Sequence, residues 1–516
     1  MDSKEKLIFL LKQPTFVIIV GYFYIISTIQ FGFNPYDSGI VLTGGMRILH
    51  GDLPYRDFFT MYAPGQFYLD AFLQLISREV IFIRFILSFL QLGILVLVAR
   101  ISILLFGNKY YIYSVLMSAL WLGGLEIYNR GITTSVLLVL LTLWYILKCE
   151  DKNKKLNYTL LGFLVSITIF FRHDVGLLAL FLLNLYFLYV NYKDRNVANY
   201  FKSMFFQSIG LIPLIIFITY LIFNVSWSAV YNDLIIIPKE VFPKYRSIPF
   251  PQPFEYLGTE SFGILRFIKS TLHSLTFYIP FFTILLYIIK FIKFKVIENK
   301  ELLLLIGILI FTNQMLVRSE LEHSTPAAIL ASISYFYLLK KLINHKMILV
   351  VAFFVFLPNI VGRKVSIIKN IFPNIVKSQL TGINNLYLNH EYYLNLEKSV
   401  KYIKSNTSEK EKIYVGETGH DNTFINEAAF YYFAKRLPAT KYHELHPGIT
   451  TISKTQKVII NEIEKSKVRY IILRDNKVVE NQILDDGKNL DAYIKYNFKI
   501  VEIFGDFQIY KRITSQ

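Results

Sequence analysis

The chain alternates long apolar runs with short polar links. About eleven runs have the length and hydrophobicity of membrane-spanning helices. A shorter apolar run, at 67–76, predicts a helix lying in the membrane interface. No small-residue cleavage site follows the first long run, so we interpret it as an uncleaved anchor. The predicted spans lie at about 15–29, 80–106, 110–126, 131–148, 157–171, 175–192, 204–223, 268–292, 301–317, 325–340 and 346–361.

Composition supports a membrane protein. Of the 516 residues, 54% are hydrophobic, and the mean hydropathy is +0.42, which is high for a soluble protein of this size. A net charge of +18 would suggest nucleic-acid binding in a soluble chain. Here, however, most Lys and Arg residues fall in short links between apolar runs, so we interpret the charge as a topology signal. The single cysteine, Cys149, excludes an intrachain disulfide.

The polar links form two alternating sets. One set, which includes the N-terminus and the links 149–155 and 290–300, is rich in Lys and Arg. The other set includes the loop 31–79 and mixes fewer Lys residues with acidic and aromatic residues. The positive-inside rule therefore places the N-terminus in the cytoplasm and the second set outside. With an odd number of spans, the C-terminal tail is also extracytoplasmic.

The tail has a different pattern. Short apolar runs at 412–416, 469–475 and 498–511 predict strands, and they alternate with helix-like segments at 391–405, 422–435 and 454–466. Strands that alternate with helices indicate a small α/β domain. We therefore predict a transmembrane domain over 1–361 and an extracytoplasmic α/β domain over 362–516.

The loop between the first two spans is unusually polar. Residues 33–68 contain five glycines, three prolines and several charged side chains. Such a loop is either a simple connector or the mouth of a site, since rigid scaffolds often carry functional residues on loops. Asp52, in the segment HGDLPY, has the sequence setting of a turn-forming residue.

Other charged clusters fall on the same predicted side. Ionisable residues at membrane depth are costly and usually face a cavity or a partner. Three clusters on one side predict a single extracytoplasmic cavity, and the alternative is ordinary interfacial charge. The clusters are Asp37, then Arg172 with His173 and Asp174, then Arg318 with Glu320, Glu322 and His323.

Transfer of a group from a lipid phosphate fits these residue types. A carboxylate can accept the proton of an incoming hydroxyl, and a guanidinium can bind the phosphate that leaves. We predict Asp37 as the general base, Asp57 as the second candidate, and Arg172 and Arg318 as phosphate ligands. Further candidates for substrate contact are Arg56, Tyr62, His173, Asp174, Glu322 and His323.

The tail contains a possible metal-binding segment. His443, Glu444 and His446 are close in sequence, but no third-ligand pattern accompanies them. A structural or acceptor-facing loop is the other interpretation. A divalent metal is thus one of the two interpretations of this segment, and the sequence indicates no other cofactor.

The loop also resembles a known family. An acidic residue after the first span, followed by GGMRILHGDLPYRDFFTMYAPGQFYLDAFL, is similar to the first outer loop of the GT-C glycosyltransferases, in the branch of the protein O-mannosyltransferases and the lipid A aminoarabinose transferase. The resemblance implies a catalytic acid at Asp37, interfacial helices in the loop, and a basic residue near the donor phosphate at Arg172. It also implies a sugar donor carried on a polyprenyl phosphate. Many members have an Asp-Glu pair where this chain has Asp37-Ser38.

These observations favour an inverting glycosyltransferase that moves a sugar from a polyprenyl-phosphate donor to an extracytoplasmic glycan, lipid or protein. Its expected partners are the donor lipid, the acceptor and membrane lipid, and no nucleic acid. One alternative is a flippase or exporter of lipid-linked sugars, for which repeat symmetry and broken helices near mid-membrane would be typical. The sequence indicates neither feature, and its polar groups cluster at one face. A second alternative is a non-catalytic, membrane-anchored glycan-binding protein.

Overall fold

The computed structural model describes residues 13–125, 130–148, 154–255, 263–343, 364–421, 426–475 and 485–513. The chain forms two compact units, and each is assembled from three separate stretches. The first unit comprises 1–29, 85–217 and 248–366. The second comprises 30–84, 218–247 and 367–516.

The first unit is built from packed apolar helices. Its core is one continuous cluster of buried aliphatic and aromatic side chains. Some of the buried polar groups inside it are paired: Ser118 bonds Ser332 at 2.7 Å, and the Trp121 indole donates to Thr325 at 3.0 Å. The helices that lie wholly or mainly in this unit are Pro14–Ile26, Val80–Phe106, Tyr111–Gly123, Arg130–Lys148, Lys154–Phe171, His173–Lys193, Val197–Gly210, Ile264–Phe277, Ile279–Phe294, Asn299–Val317 and Leu321–Ile343.

Five helices of the described chain are long and apolar enough to cross a membrane. They are Val80–Phe106, Arg130–Lys148, Lys154–Phe171, His173–Lys193 and Asn299–Val317. Two bent pairs raise the number to seven if each pair is one span: Val197–Gly210 with Ile212–Asn224, bent by 50°, and Ile264–Phe277 with Ile279–Phe294, bent by 60°. Proline at the second position of each later helix, Pro213 and Pro280, explains the breaks.

The predicted count of about eleven spans is therefore not confirmed. Pro14–Ile26 and Tyr111–Gly123 have 13 residues each, so each is about 20 Å long, which is shorter than a hydrocarbon layer of about 30 Å. Leu321–Ile343 contains the predicted span 325–340 but is not among the candidates, and Lys340 and Lys341 lie in its last turn. The predicted span 346–361 lies outside the described residues.

The described residues of the second unit form the strands β1 Ile375–Lys377, β2 Tyr387–Asn389, β3 Tyr414–Glu417, β4 Tyr470–Arg474, β5 Phe498–Phe504 and β6 Phe507–Arg512. Four of them make a sheet in the order β3-β4-β6-β5. β3 pairs with β4 in parallel, whereas β6 is antiparallel to both β4 and β5. A separate antiparallel pair joins β1 and β2.

The predicted strand runs in the tail correspond to β3, β4, β5 and β6, and the single run 498–511 divides into β5 and β6. The short strands β1 and β2 were not predicted. The predicted helices at 391–405 and 454–466 correspond to His390–Asn406 and Ser453–Lys465. Of the helix predicted over 422–435, the structure has only Ala429–Ala434, and 422–425 lie outside the described residues. The other helices in this unit are Asp37–Leu49, Gly65–Ile76, Trp227–Tyr231, the π-helix Asn232–Val241, Phe242–Arg246 and Asn489–Asn497. The helix Ile212–Asn224 runs across the boundary of the two units.

The loop 31–79 is part of the core of the second unit. Its helix Asp37–Leu49, which we call the Asp37 helix, is buried at every position from Ser38 to Arg47. The helix packs closely on two sides because it carries glycines at the contacts. A Cβ on residue 39 would lie 2.2 Å from the backbone nitrogen of Ala429, and one on residue 44 would lie 2.4 Å from the Phe67 ring. A simple connector would not be buried in this way.

Candidate functional site

Asp37 is the first residue of the Asp37 helix and is half-buried. The Asn34 side chain organises this start. Its Oδ1 accepts the backbone N–H groups of Tyr36 and Asp37, each at 3.0 Å, and its Nδ2 donates to Asp37 Oδ2 at 3.2 Å. Asn34 thereby supplies the side-chain oxygen that a helix start needs. The Asp37 carboxylate is consequently held in place by a neighbour that performs the capping.

A chain of hydrogen bonds, fully buried except at Arg246, lies near enough to Asp37 for the Asp37 charge to act on Glu444 and His446. Arg246 Nη1 bonds His446 Nδ1 at 2.8 Å, and His446 Nε2 bonds Glu444 Oε2 at 3.0 Å. Arginine can only donate, so His446 Nδ1 is the acceptor. The His446 proton therefore sits on Nε2 and points at Glu444. His446 and Glu444 are both fully buried.

The burial of this chain shifts both titrating groups towards their neutral forms. Burial raises the pKa of Glu444 to about 8, and the nearby charge of Asp37 acts in the same direction, while Arg246 opposes it. Burial and the Arg246 charge hold the pKa of His446 well below its usual range. Glu444 thus keeps a proton at neutral pH, and His446 stays an uncharged donor.

The three residues considered as metal ligands are separated by their contacts. His443 Nε2 bonds the backbone oxygen of Ile40 in the Asp37 helix at 3.3 Å, and its ring packs edge-on against Phe58. Glu444 and His446 bond each other instead. Within the described part of the chain, no group of three or more His, Cys, Asp or Glu side chains could hold a metal ion. Sequence proximity had suggested this set, but the backbone directs its members to different partners.

The charged residues after the Asp37 helix brace a turn. Arg47 bonds Asp52 through Nε at 2.7 Å, the Thr440 carbonyl through Nη1 at 2.9 Å and the Asp57 carbonyl through Nη2 at 2.6 Å. Asp57 accepts the Leu53 N–H at 2.8 Å and pairs with Arg56 at 2.7 Å. Asp52 and Asp57 therefore hold the turn around Arg47.

Asp57 has the environment of a stable anion. Burial favours a higher pKa for Asp57, but the hydrogen bonds from Arg56 and Leu53 outweigh it, and the net pKa is lowered. Arg56 itself is exposed. Tyr62 lies in the same stretch, where its carbonyl accepts the Tyr55 hydroxyl at 2.8 Å.

The first unit contains the two predicted phosphate ligands. Arg172 precedes the helix His173–Lys193 and bonds Asp174 through Nε at 2.9 Å. Gln314 Nε2 donates to the other Asp174 oxygen at 2.6 Å. Within the described residues, Arg172 Nη1 makes no hydrogen bond, so this nitrogen keeps two N–H groups available for a ligand.

Arg318 lies in a related cluster. Its Nε is 2.9 Å from Glu320 Oε2, and His323 Nδ1 bonds Glu320 Oε1 at 2.6 Å. Burial would raise the pKa of Glu320, but His323 and Arg318 outweigh it and lower the pKa to about 2. His323 also interacts electrostatically with Asp174. The structure thus brings both predicted arginine clusters together within the first unit. Glu322 is half-buried and lies in the first turn of the next helix.

Sequence reasoning missed three of these residues. No sequence motif marks Asn34 or Arg246, because each residue contacts its partner side chain only in the folded chain. Glu320 was noticed as a charge but not as the shared partner of Arg318 and His323. An Asn three residues before an Asp at a helix start was the one signal that could have identified Asn34.

Comparison with solved structures identifies the fold. ArnT from Cupriavidus metallidurans bound to undecaprenyl phosphate aligns with a TM-score of 0.55 over 99% of both chains, at 11% identity. The oligosaccharyltransferase AglB from Archaeoglobus fulgidus, in complex with an inhibitory peptide and a dolichol-phosphate, aligns with a TM-score of 0.55 over 97% of this chain and 74% of that one, at 11% identity. No family model and no curated protein sequence matches the chain.

The chain has the fold of the GT-C membrane glycosyltransferases. The predicted resemblance is therefore confirmed as a likeness of fold. The apo form of the Archaeoglobus fulgidus oligosaccharyltransferase agrees, with a TM-score of 0.54 over 89% of this chain and 69% of that one, at 11% identity.

Glu444 should make the stability of the protein depend on pH. Its pKa is about 8 in the folded state, against an ordinary value of 4.5. Stability from the protonated form is complete below about pH 4.5 and is lost as the pH rises towards 8, by on the order of 1 kcal/mol per pH unit. Glu444→Gln cannot ionise. We expect the Tm of the variant to fall less than that of the wild type between pH 5 and pH 8.

Glu464→Gln is the matched control, because the pKa of Glu464 is lowered and its side chain is exposed. Thermal unfolding in detergent at several pH values measures all three proteins. If the Tm of Glu444→Gln changed with pH in the same way as the Tm of the wild type, Glu444 would not be protonated in the folded protein.

Proposed function

We propose that the protein is an inverting glycosyltransferase that moves a sugar from a polyprenyl-phosphate donor to an extracytoplasmic acceptor. The observation that carries the proposal is the fold, which matches nearly the whole length of ArnT. The ArnT and AglB structures hold undecaprenyl phosphate and dolichol-phosphate. A donor of the same chemical class suits this chain.

Asp37 is the proposed general base. An acceptor hydroxyl oxygen attacks the anomeric carbon of the sugar, and the bond from that carbon to the phosphate oxygen breaks. The electron pair leaves with the polyprenyl phosphate, and the hydroxyl proton passes to Asp37. Attack from the face opposite the phosphate inverts the anomeric configuration. The hydrogen bond from Asn34 Nδ2 fixes the orientation of the carboxylate.

Asp57 is less suited to this role. Both of its carboxylate oxygens are engaged by Arg56, and one also accepts the Leu53 N–H. A base with a lowered pKa is weaker. Asp57 therefore serves the turn, and Asp37 is the preferred base.

Arg172 and Arg318 are the proposed ligands of the donor phosphate. Each guanidinium is oriented by a carboxylate, Asp174 for Arg172 and Glu320 for Arg318. A planar guanidinium fixed in this way keeps donors aimed at an oxyanion. His173, Asp174, Glu322 and His323 contribute to the orientation of these arginines or to substrate contact.

We also propose that the N-terminus is cytoplasmic and that residues 362–516 form an extracytoplasmic α/β domain. The support is the Lys and Arg asymmetry of the links. A reporter fused after Gln516 should be active only in an extracytoplasmic format, and one fused near Lys154 only in a cytoplasmic format. A cytoplasmic C-terminus would contradict the orientation and place Asp37 on the wrong side for an external acceptor.

Arg172→Ala should lose most transfer activity and should raise the donor concentration needed for half-maximal rate. Arg172→Lys should keep part of the activity, because it retains the charge but loses the planar fork. Transfer assays with varied donor lipid measure both. An unchanged donor requirement in the alanine variant would remove Arg172 from the donor site.

Asp37→Asn should lower turnover by about a hundredfold to ten-thousandfold, which is the usual contribution of a general base. Asparagine keeps the size of the side chain but cannot accept the proton. Helix capping should survive, because Asn34 provides it. Donor binding and thermal stability should stay near wild type.

Asp57→Asn is the matched control and should retain most of its turnover. Near-normal transfer by Asp37→Asn would contradict the proposed base. Loss of transfer in Asp57→Asn alone would instead make Asp57 the base.

A further inference from the structure

The second unit contains an open cavity of about 800 Å³. It is bordered by the end of the Asp37 helix, the turn that follows this helix, and segments around 410–412, 438–441 and 462–469. Eight Lys and Arg side chains and four Asp and Glu side chains line it. The lining therefore carries an excess of four positive charges.

The arginines and most of the acids in this cavity neutralise one another. Arg47 pairs with Asp52 at 2.7 Å, Arg56 with Asp57 at 2.7 Å, and Arg469 with Glu411 at 3.3 Å. The remaining acid, Glu462, accepts the backbone N–H of Lys441 at 2.8 Å. The uncompensated charge thus belongs to lysines.

Five lysines supply this charge, and Glu462 offsets one of the five because it interacts electrostatically with Lys441 and Lys412. The Lys441 ammonium donates to the Tyr55 carbonyl at 2.9 Å, so it is held in place. The other four, Lys410, Lys412, Lys465 and Lys467, are exposed. In the described chain their side chains make no salt bridge. Lysines that are uncompensated and grouped around one cavity form a site for an anion.

The lining also indicates how a ligand would be recognised. None of the described residues that border the cavity is aromatic, so the stacking of sugar rings on aromatic faces does not contribute. Flexible ammonium groups bind oxyanions as point charges and tolerate different spacings. Such a surface suits a chain with repeated negative charges better than a neutral sugar or one fixed phosphate.

The cavity lies at the far end of the helix that begins with Asp37. Arg47 borders the cavity and is ten residues beyond Asp37 on the same helix. Ten residues of α-helix rise about 15 Å. A polymer held in the cavity therefore lies one short helix away from the proposed base.

We propose that this cavity binds the acceptor through an anionic glycan segment that carries phosphate or carboxylate groups. The proposal rests on the proposed function, because it names the class of acceptor for that reaction. The volume is within the usual range for sites that enclose a small ligand. It would accommodate a few units of such a polymer, and the rest would extend into solvent.

The test measures binding to purified full-length protein in detergent. The probes are inorganic tripolyphosphate, a short oligogalacturonate and an uncharged dextran oligosaccharide of similar length. We expect both anionic probes to bind and to weaken as salt is raised, because exposed charges are screened. The dextran should not bind. If tripolyphosphate bound and oligogalacturonate did not, the recognised group would be phosphate. If only oligogalacturonate bound, the recognised group would be carboxylate.

Two variants remove the lysines. Lys465→Gln with Lys467→Gln, and the charge-reversed Lys465→Glu with Lys467→Glu, should weaken the anionic probes by about tenfold or more. The glutamine pair keeps the test valid if charge reversal prevents folding. Lys457→Glu is the matched control, because Lys457 is exposed on the same helix and does not border the cavity. It should change binding less than twofold.

Equal weakening by Lys457→Glu would overturn the proposal, since binding would then depend on net charge alone. Dextran binding as strong as that of the anionic probes would also overturn it. If the protein transferred sugar to a neutral acceptor, and the substitutions at Lys465 and Lys467 did not change the rate, the cavity would not be an acceptor site. The proposed glycosyltransferase function would still stand. Specific anion binding without transfer from any donor would support the cavity and reject the proposed function.

Discussion

The second unit depends on one close approach, between the Asp37 helix and the segment that starts at Ala428. Gly39 allows the two backbones to touch, and Thr43 reinforces the contact with a 2.8 Å bond to the Ala428 carbonyl. His443 and Arg47 add bonds between the same helix and the tail. Any side chain at residue 39 would separate these segments and move Asp37 with them.

The charged residues of the loop have two distinct tasks. Arg47, Asp52 and Asp57 satisfy one another and the backbone around them, which keeps a polar turn stable next to a buried helix. Asp37 has a different setting, because its neighbours Glu444 and His446 are held neutral by burial. A charge-rich sequence thus separates into a structural part and a candidate chemical part.

Much of the fold could be predicted from the sequence because it depends on local pattern. The helix Val80–Phe106 has the predicted ends, and the four strands of the larger sheet correspond to the predicted runs, whereas β1 and β2 were not predicted. Hydropathy did not reveal that two apolar runs are bent at prolines or that others form helices of only 13 residues. The pairs Asn34–Asp37 and Arg246–His446 show the same limit for the site. The first pair could have been predicted from the known preference of Asn for turns and helix starts. The second pair joins residues 200 positions apart, which no local pattern reveals.

The discontinuous make-up of the second unit has a consequence for biosynthesis. The Asp37 helix leaves the ribosome early, yet its glycine face packs against Ala429. Nearly four hundred residues must be made before that partner exists. The Gly39 face of the Asp37 helix therefore stays without its packing partner while the later helices are synthesised. A chain that stops before the tail would lose the setting of Asp37 as well as the tail, although every residue of the loop would be present.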